Sequence, residues 1–162
     1  MFVLGHVGIG TRMLGPLRAR LPARWLIFGC LLPDLIDKPL FYLVRASWIT
    51  GTRTIGHTGL FLLALLLAAA IARSPATWAV VAGVATHFVL DIAGEVVTGA
   101  EPDSSIWLAL FYPALGWRFP LAHFGTLLEH LRLSAQNAYI LAGEIIGGAI
   151  LLRAWQKRRQ SS

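Results

Sequence analysis

Two apolar runs hinged at Arg73-Ser74-Pro75 constrain this chain more than any other feature. Leu60 to Ala72 carries no charged side chain and stops at Arg73. Ser74 then offers a side-chain acceptor for a helix N-terminus, and Pro75 fits the first helical position, where a backbone N–H lacks a partner anyway. The following helix is predicted to run to about Glu95. The pair reads as a helical hairpin turning near Ser74. Hydrophobic residues make up 56% of the chain and charged ones 14%, too apolar a balance for an ordinary soluble domain. In lipid, helices satisfy their own backbone groups. The predicted class is therefore all-α: a multi-pass transmembrane protein with about four membrane-embedded segments, some broken or interfacial. Residues 1–162 form one such domain, of which 155–162 are a basic tail.

The other segments are less regular. Phe2 to Leu14 is apolar and rich in glycine, and is expected to form a short or half-inserted helix. Pro16 to Arg24 is a basic connector. Trp25 to Val44 is apolar but interrupted by Pro33, Asp34, Asp37 and Lys38, which predicts a broken helix. Arg45 to Gly56 is a polar loop. Ile106 to Pro120 is aromatic and suits the headgroup zone. Thr126 to Glu129 is a capping box opening a short amphipathic helix. Ala138 to Trp155 is the last span. It contains Glu144, for which Arg132 and Lys38 are the expected partners. The start, MFVLGHVGIG, lacks the pattern of a signal peptide and is expected to stay in the mature protein.

The formal charge is +6, but the basic residues flank apolar runs instead of forming a binding face. They read as topology signals and anionic-lipid contacts, so no nucleic-acid partner is expected. The positive-inside rule places the 12–24 connector, Arg73 and the tail in the cytoplasm. Cys30 is the only cysteine, which excludes an internal disulfide and a thiolate metal site.

His87 and Asp91, in ATHFVLD, carry the functional signal. Residues four apart on a helix share one face, about 6 Å apart in rise. Ionisable groups at membrane depth are costly and mark functional sites by default. His57 and Asp91 lie equally far from the turn at Ser74, so an antiparallel hairpin brings them to one depth. Asp34 and Asp37, three apart in GCLLPDLID, would share a face if that stretch is helical. These are nitrogen and oxygen donors of the kinds that hold Zn²⁺, Mn²⁺ or Fe²⁺. The plainer alternatives are a hydrogen-bonded pair between helices for His87 and Asp91, a cap for Asp34, and a salt bridge to Lys38 or an arginine for Asp37. Glu95 extends the 87–91 stripe and would support the site. His123 and His130 are expected on solvated or interfacial faces.

GHVGIG, LLPDLID, Arg53 to Thr58 and HFVLD come in an order that resembles the YdjM-like family. The tryptophan-rich SSIWLALFYPALGWRFP is similar to that family too, so the likeness runs from His6 to about Phe119. The resemblance implies a bacterial or archaeal inner-membrane, metal-dependent hydrolase. It adds His6 to the ligand set, which becomes His6, Asp34, Asp37, His57, His87 and Asp91. It makes Asp37, as ligand or general base, and Asp91 the catalytic carboxylates, and zinc the first choice of metal. The family's middle motif resembles His-Arg-Gly-x-Thr-His-Ser. Here His57 matches the second His, but Thr52 stands for the first, Gly56 for Thr and Thr58 for Ser. If the first His is a ligand in the family, this chain has one ligand fewer. The His-x-x-x-Asp helix is also similar to one in zinc-dependent phospholipase C and single-strand nucleases, which implies phosphoester chemistry. An amphiphilic substrate and membrane lipids are the expected partners. The rival reading is non-enzymatic: an ion or proton transporter, or a metal-binding scaffold for a regulator.

Overall fold

The computed structural model describes residues 2–160, apart from the Arg158 side chain. Of the predicted basic tail, residues 161 and 162 lie outside the described residues, as does Met1. All regular structure among the described residues is helical. Helices α1 (Val3–Met13), α2 (Ala23–Pro39), α3 (Gly59–Ala72), α4 (Pro75–Thr98), α5 (Ile106–Leu110), α6 (Leu127–Ser134) and α7 (Ala138–Gln160) follow one another. Helices α4 and α7 are long and apolar enough to cross a membrane, while α3 is apolar over 14 residues. Leu60, Leu63, Leu67 and Ile71 on α3 and Ile145 and Leu152 on α7 are exposed. An apolar outer surface of this kind suits contact with lipid tails.

The hairpin forms as its local signals require. Arg73 takes the left-handed conformation with φ 48°, and its N–H bonds to the Ala69 carbonyl. Ser74 Oγ accepts from the Ala76 N–H at 3.2 Å. At the far end Thr58 caps α3 by accepting from Phe61 N–H at 3.0 Å. Thr126 Oγ1 accepts from Glu129 N–H at 3.2 Å, as the capping box predicts. The Glu129 carboxylate reaches back one residue further than expected, to Gly125 N–H at 2.9 Å.

The expected break at Pro33 does not occur. Helix α2 runs through it to Pro39, and the chain then continues as a π-turn over Leu40–Val44. Pro33 removes one intrahelical bond. It sits fully buried, however, on a helix whose Gly29 and Cys30 are pressed against α4. That packing outweighs the local cost. A Cβ on Gly29 would strike the Val80 carbonyl, and one on Gly83 would meet Leu26 O and Cys30 N. The two glycines let the backbones of α2 and α4 touch, as small residues do between membrane helices.

A second close approach joins α1 to α7, where a Cβ on Gly8 would strike Gly147 and one on Gly147 would strike Leu4. It brings Glu144 to the start of α1. The carboxylate accepts from the N–H groups of Phe2 at 3.0 Å, Leu4 at 3.1 Å and Gly5 at 2.9 Å. Neither Arg132 nor Lys38 is its partner, contrary to expectation. An acid suits a helix N-terminus because the first N–H groups have no intrahelical acceptor and the helix dipole is positive there.

Close contacts set the directions of α1, α2, α4 and α7. Helices α2 and α4 run the same way, since Gly29 meets Val80 and Cys30 meets Thr86. Helices α1 and α7 are placed by their own contacts: Gly10 meets Thr86, and Tyr139 donates to the Leu90 carbonyl at 2.7 Å. The 12–24 connector, Arg73 and the C-terminal end of α7 therefore gather at one end of the bundle. The N-terminus of α1 and the C-terminal halves of α2 and α4 gather at the other.

Candidate metal centre

Each donor at that second end is delivered by one of four elements. His6 comes from the first turns of α1, and Asp34 and Asp37 from the last turns of α2. His57 comes from a 3-10 turn, Ile55–His57, that leads into α3, and His87 and Asp91 come from α4. His6, Asp37, His57, His87 and Asp91 are all buried. The equal-depth expectation for the hairpin holds, with His57 Nε2 lying 3.6 Å from Asp91 Oδ2.

The two central imidazoles are held from behind. His87 Nδ1 lies 2.8 Å from the Cys30 carbonyl oxygen, which can only accept, so Nδ1 carries the proton. His57 Nδ1 lies 2.7 Å from Asp37 Oδ2. Asp37 also accepts from Thr54 N–H at 2.6 Å, Thr54 Oγ1–H at 2.7 Å and Gly56 N–H at 2.9 Å. With its oxygens filled by donors, Asp37 takes the His57 Nδ1 proton as a further bond. Both Nε2 atoms are then left as lone pairs, and they face each other at 3.1 Å. Two lone pairs at that distance repel unless a proton on one ring or a metal cation lies between them.

Carboxylates surround the same point. Asp34 Oδ1 is 3.9 Å from His57 Nε2, and Asp91 Oδ2 is 3.9 Å from His87 Nε2. Asp91 Oδ1 is 3.5 Å from His6 Nε2. The His6 ring stacks on His87 at 3.8 Å between centroids, and its Nδ1 is buried without a hydrogen-bond partner among the described residues. Among the described residues two triads have donor atoms within 4.8 Å of one another: His6, Asp34 and His87, and His57, His87 and Asp91. Donors sharing one ion at about 2.1 Å stand roughly 3–3.5 Å apart. The spacings of 3.1–3.9 Å lie at or somewhat above that range, and the nitrogen and oxygen chemistry suits a borderline divalent ion such as zinc, manganese or iron.

Asp37 stands one step behind the point where these five residues converge and touches it through His57. Thr54 supplies a hydroxyl and an N–H to Asp37, and Gly56 a further N–H. A Cβ on Gly56 would lie 2.8 Å from Pro33 O. Thr52 lines the adjoining cavity.

That cavity, about 360 Å³, opens over the centre. Asp34, His57 and Asp91 lie on its floor, and Lys38 and Arg53 on its walls. Lys38 Nζ bonds Asp34 Oδ2 at 2.6 Å, and Arg53 Nε reaches Asp91 Oδ2 at 3.4 Å. Arg53 was not expected at the site, and Lys38, expected to pair with Asp37, pairs with Asp34. The four-residue step from Asp34 to Lys38 signals the lysine, and the position of Arg53 inside the His57 motif signals the arginine. His130 is also here, not on a solvated face. Its Nδ1 is 2.6 Å from the Tyr42 hydroxyl, its ring stacks on Phe124 at 4.2 Å, and burial pushes its pKa down to about 4. His123 is exposed as expected and lies 3.4 Å from Asp103. Glu95 does not support the donors directly. It caps α5, accepting from Ser105 Oγ at 2.5 Å and Ile106 N–H at 2.6 Å.

The sequence profile of the YdjM inner membrane protein family matches residues 1–159. No curated protein and no solved structure matches the chain.

Proposed function

The chain belongs to the YdjM inner membrane protein family, and on that premise we propose that it is a membrane-bound, metal-dependent hydrolase. One observation carries the reading: His57 and His87, with Nε2 atoms 3.1 Å apart, meet the buried Asp91 in one triad of donors, and His87 is shared with a second triad that adds His6 and the half-buried Asp34. His6, Asp34, His57, His87 and Asp91 are the ligands in this proposal, with zinc the first candidate and manganese or iron the alternatives. Asp37 is assigned as the residue that orients His57 and fixes its proton on Nδ1, in place of the ligand or general-base role. A divalent ion held here would act as a Lewis acid and bring the pKa of water toward neutrality.

The chain's own residues supply the rest. The imidazoles and Asp91 are themselves buried, which strengthens the electrostatic interactions among them. Arg53 holds Asp91 from the cavity side, and Lys38 holds Asp34. The site sits at one end of the bundle, beside the C-terminal half of a helix long enough to span the membrane. That depth suits an amphiphilic substrate reached from the membrane surface. A transport path would need ionisable groups along the thickness of the bundle. Glu144 and Glu95 are engaged as helix caps, which favours a site over a path.

The test is metal content and turnover on the purified full chain in detergent. Bound transition metal near a whole-number ratio, lost in Asp91→Ala together with hydrolysis of a chromogenic phosphodiester, is the expected result. Protein that carries no transition metal and takes up none on incubation refutes the proposal. Metal-dependent ion flux in vesicles without hydrolysis would move the assignment to transport.

A further inference from the structure

Arg53 and Lys38 have a use that ligand positioning does not exhaust. Each pairs with one carboxylate of the centre, and each keeps donors over. The Arg53 guanidinium carries five N–H donors. Nε is directed at Asp91, and the terminal amino groups make no hydrogen bond among the described residues. The side chain is 33% exposed and stands where the main cavity meets a smaller one of about 90 Å³. The Lys38 ammonium, 26% exposed, bonds Asp34 and lies 5.8 Å from the Phe2 ring centroid. Each carboxylate of the floor is thus neutralised by a cation of the wall. A divalent ion at the centre then leaves net positive charge in a half-enclosed space, and an anion is the ligand that balances it.

Part of the cavity wall is apolar: Phe2, Leu121, Phe124, Leu133 and Ile140 line the same space. We infer that this cavity carries a phosphoryl-binding subsite in which Arg53 and Lys38 hold the anionic oxygens of a phosphoester substrate, with the organic part of that substrate against the apolar wall. The planar guanidinium presents paired donors that match two phosphate oxygens, and Lys38 adds a point charge. The inference rests on the hydrolase reading and makes its substrate class specific. In the reaction it implies, the oxygen of water bonds to phosphorus and the ester P–O bond breaks. One proton from the water passes to the leaving alcohol oxygen, so the products are an alcohol and a phosphate group.

The test is binding of inorganic phosphate to the metal-loaded full chain by calorimetry, with metal content read on the same samples. Arg53→Gln is expected to weaken phosphate binding by about ten-fold or more, and Lys38→Gln by somewhat less, since charge-assisted hydrogen bonds are lost. Arg53→Lys, which keeps the charge but not the fork, is expected to fall between wild type and Arg53→Gln. The variants' melting temperatures and metal content establish that each is folded and loaded. Dihexanoyl phosphatidic acid separates the two sources of the phosphoryl group. Binding at least about ten-fold tighter than inorganic phosphate assigns the subsite to a lipid headgroup, because the chains then bury apolar surface. Equal binding assigns it to a soluble phosphoester. Metal-loaded, folded variants that bind phosphate as well as wild type overturn the subsite and leave the hydrolase reading standing. Wild-type protein without metal overturns the hydrolase reading by itself.

Discussion

Replacing Asp37 by Asn separates a ligand from a residue that holds one. The carboxylate accepts from two donors at Oδ1, Thr54 Oγ1–H at 2.7 Å and Gly56 N–H at 2.9 Å. It accepts from two more at Oδ2, Thr54 N–H at 2.6 Å and the His57 ring at 2.7 Å. An amide has one acceptor and one donor end, so in either orientation the substituted side chain sets its NH₂ against donors. With the NH₂ toward His57, that ring is relieved only by moving its proton to Nε2, which removes the lone pair aimed at the metal. With the NH₂ toward the partners of Oδ1, Gly56 N–H loses its acceptor in a buried place. Losing an outer partner of a metal-binding imidazole typically costs 10–100-fold in metal affinity, about 1.4–2.7 kcal/mol. Leaving a buried donor unsatisfied costs a further ~1–3 kcal/mol of stability. The expected result for Asp37→Asn is folded protein of lower melting temperature that binds zinc about 10–100-fold more weakly in chelator competition. Nitrogen NMR of the His57 ring should show the proton shared with Nε2. Wild-type metal affinity and melting temperature would refute the orienting role. Complete loss of metal from a folded variant would restore Asp37 as a direct ligand.

Three further outcomes follow from the packing and the cavity. Gly83→Ala places a methyl group 2.5 Å from Cys30 N and Leu26 O. Helices α2 and α4 must then part, so stability should fall by about 1–3 kcal/mol, and metal retention should fall with it, because α2 carries Asp34 and α4 carries His87 and Asp91. Glu144→Ala removes the acceptor for three N–H groups at the start of α1. Hydrogen exchange at Leu4 and Gly5 should speed up, with a stability loss of about 1–3 kcal/mol, while Glu144→Gln should lose less because it keeps one oxygen. His130, whose pKa is held near 4 by burial, should titrate well below the ordinary value of about 6.5. The unfolded chain takes up this proton first as the pH falls. The stability tied to His130 is therefore level above the unfolded value and declines between about 6.5 and 4. An NMR titration of the His130 ring with a midpoint near the ordinary value would refute its burial.

What was legible in the sequence was local. The Ser74-Pro75 start, the Thr126–Glu129 cap and the four-residue step from His87 to Asp91 are short-range geometry, and each appears in the structure. The equal depth of His57 and Asp91 was also legible, because a hairpin needs only its turn and the helical rise. The match to the YdjM family across residues 1–159 agrees with motifs readable in order along the chain. The tertiary structure decided everything that depended on which helices touch. A proline followed by two acids reads as a break until α4 presses on α2 and holds it helical. Asp37 reads as a partner for its neighbour Lys38 until the 54–57 turn fills its oxygens with donors. Glu144 reads as half of an ion pair until Gly8 and Gly147 bring α1 against α7 and present bare N–H groups. Sequence patterns record the preferences of single helices and turns. The partner of a buried polar group is set by contacts between residues far apart in the chain, and these five donors meet because glycine-lined contacts bring α1 and α2 against α4 while the 54–57 turn docks on Asp37.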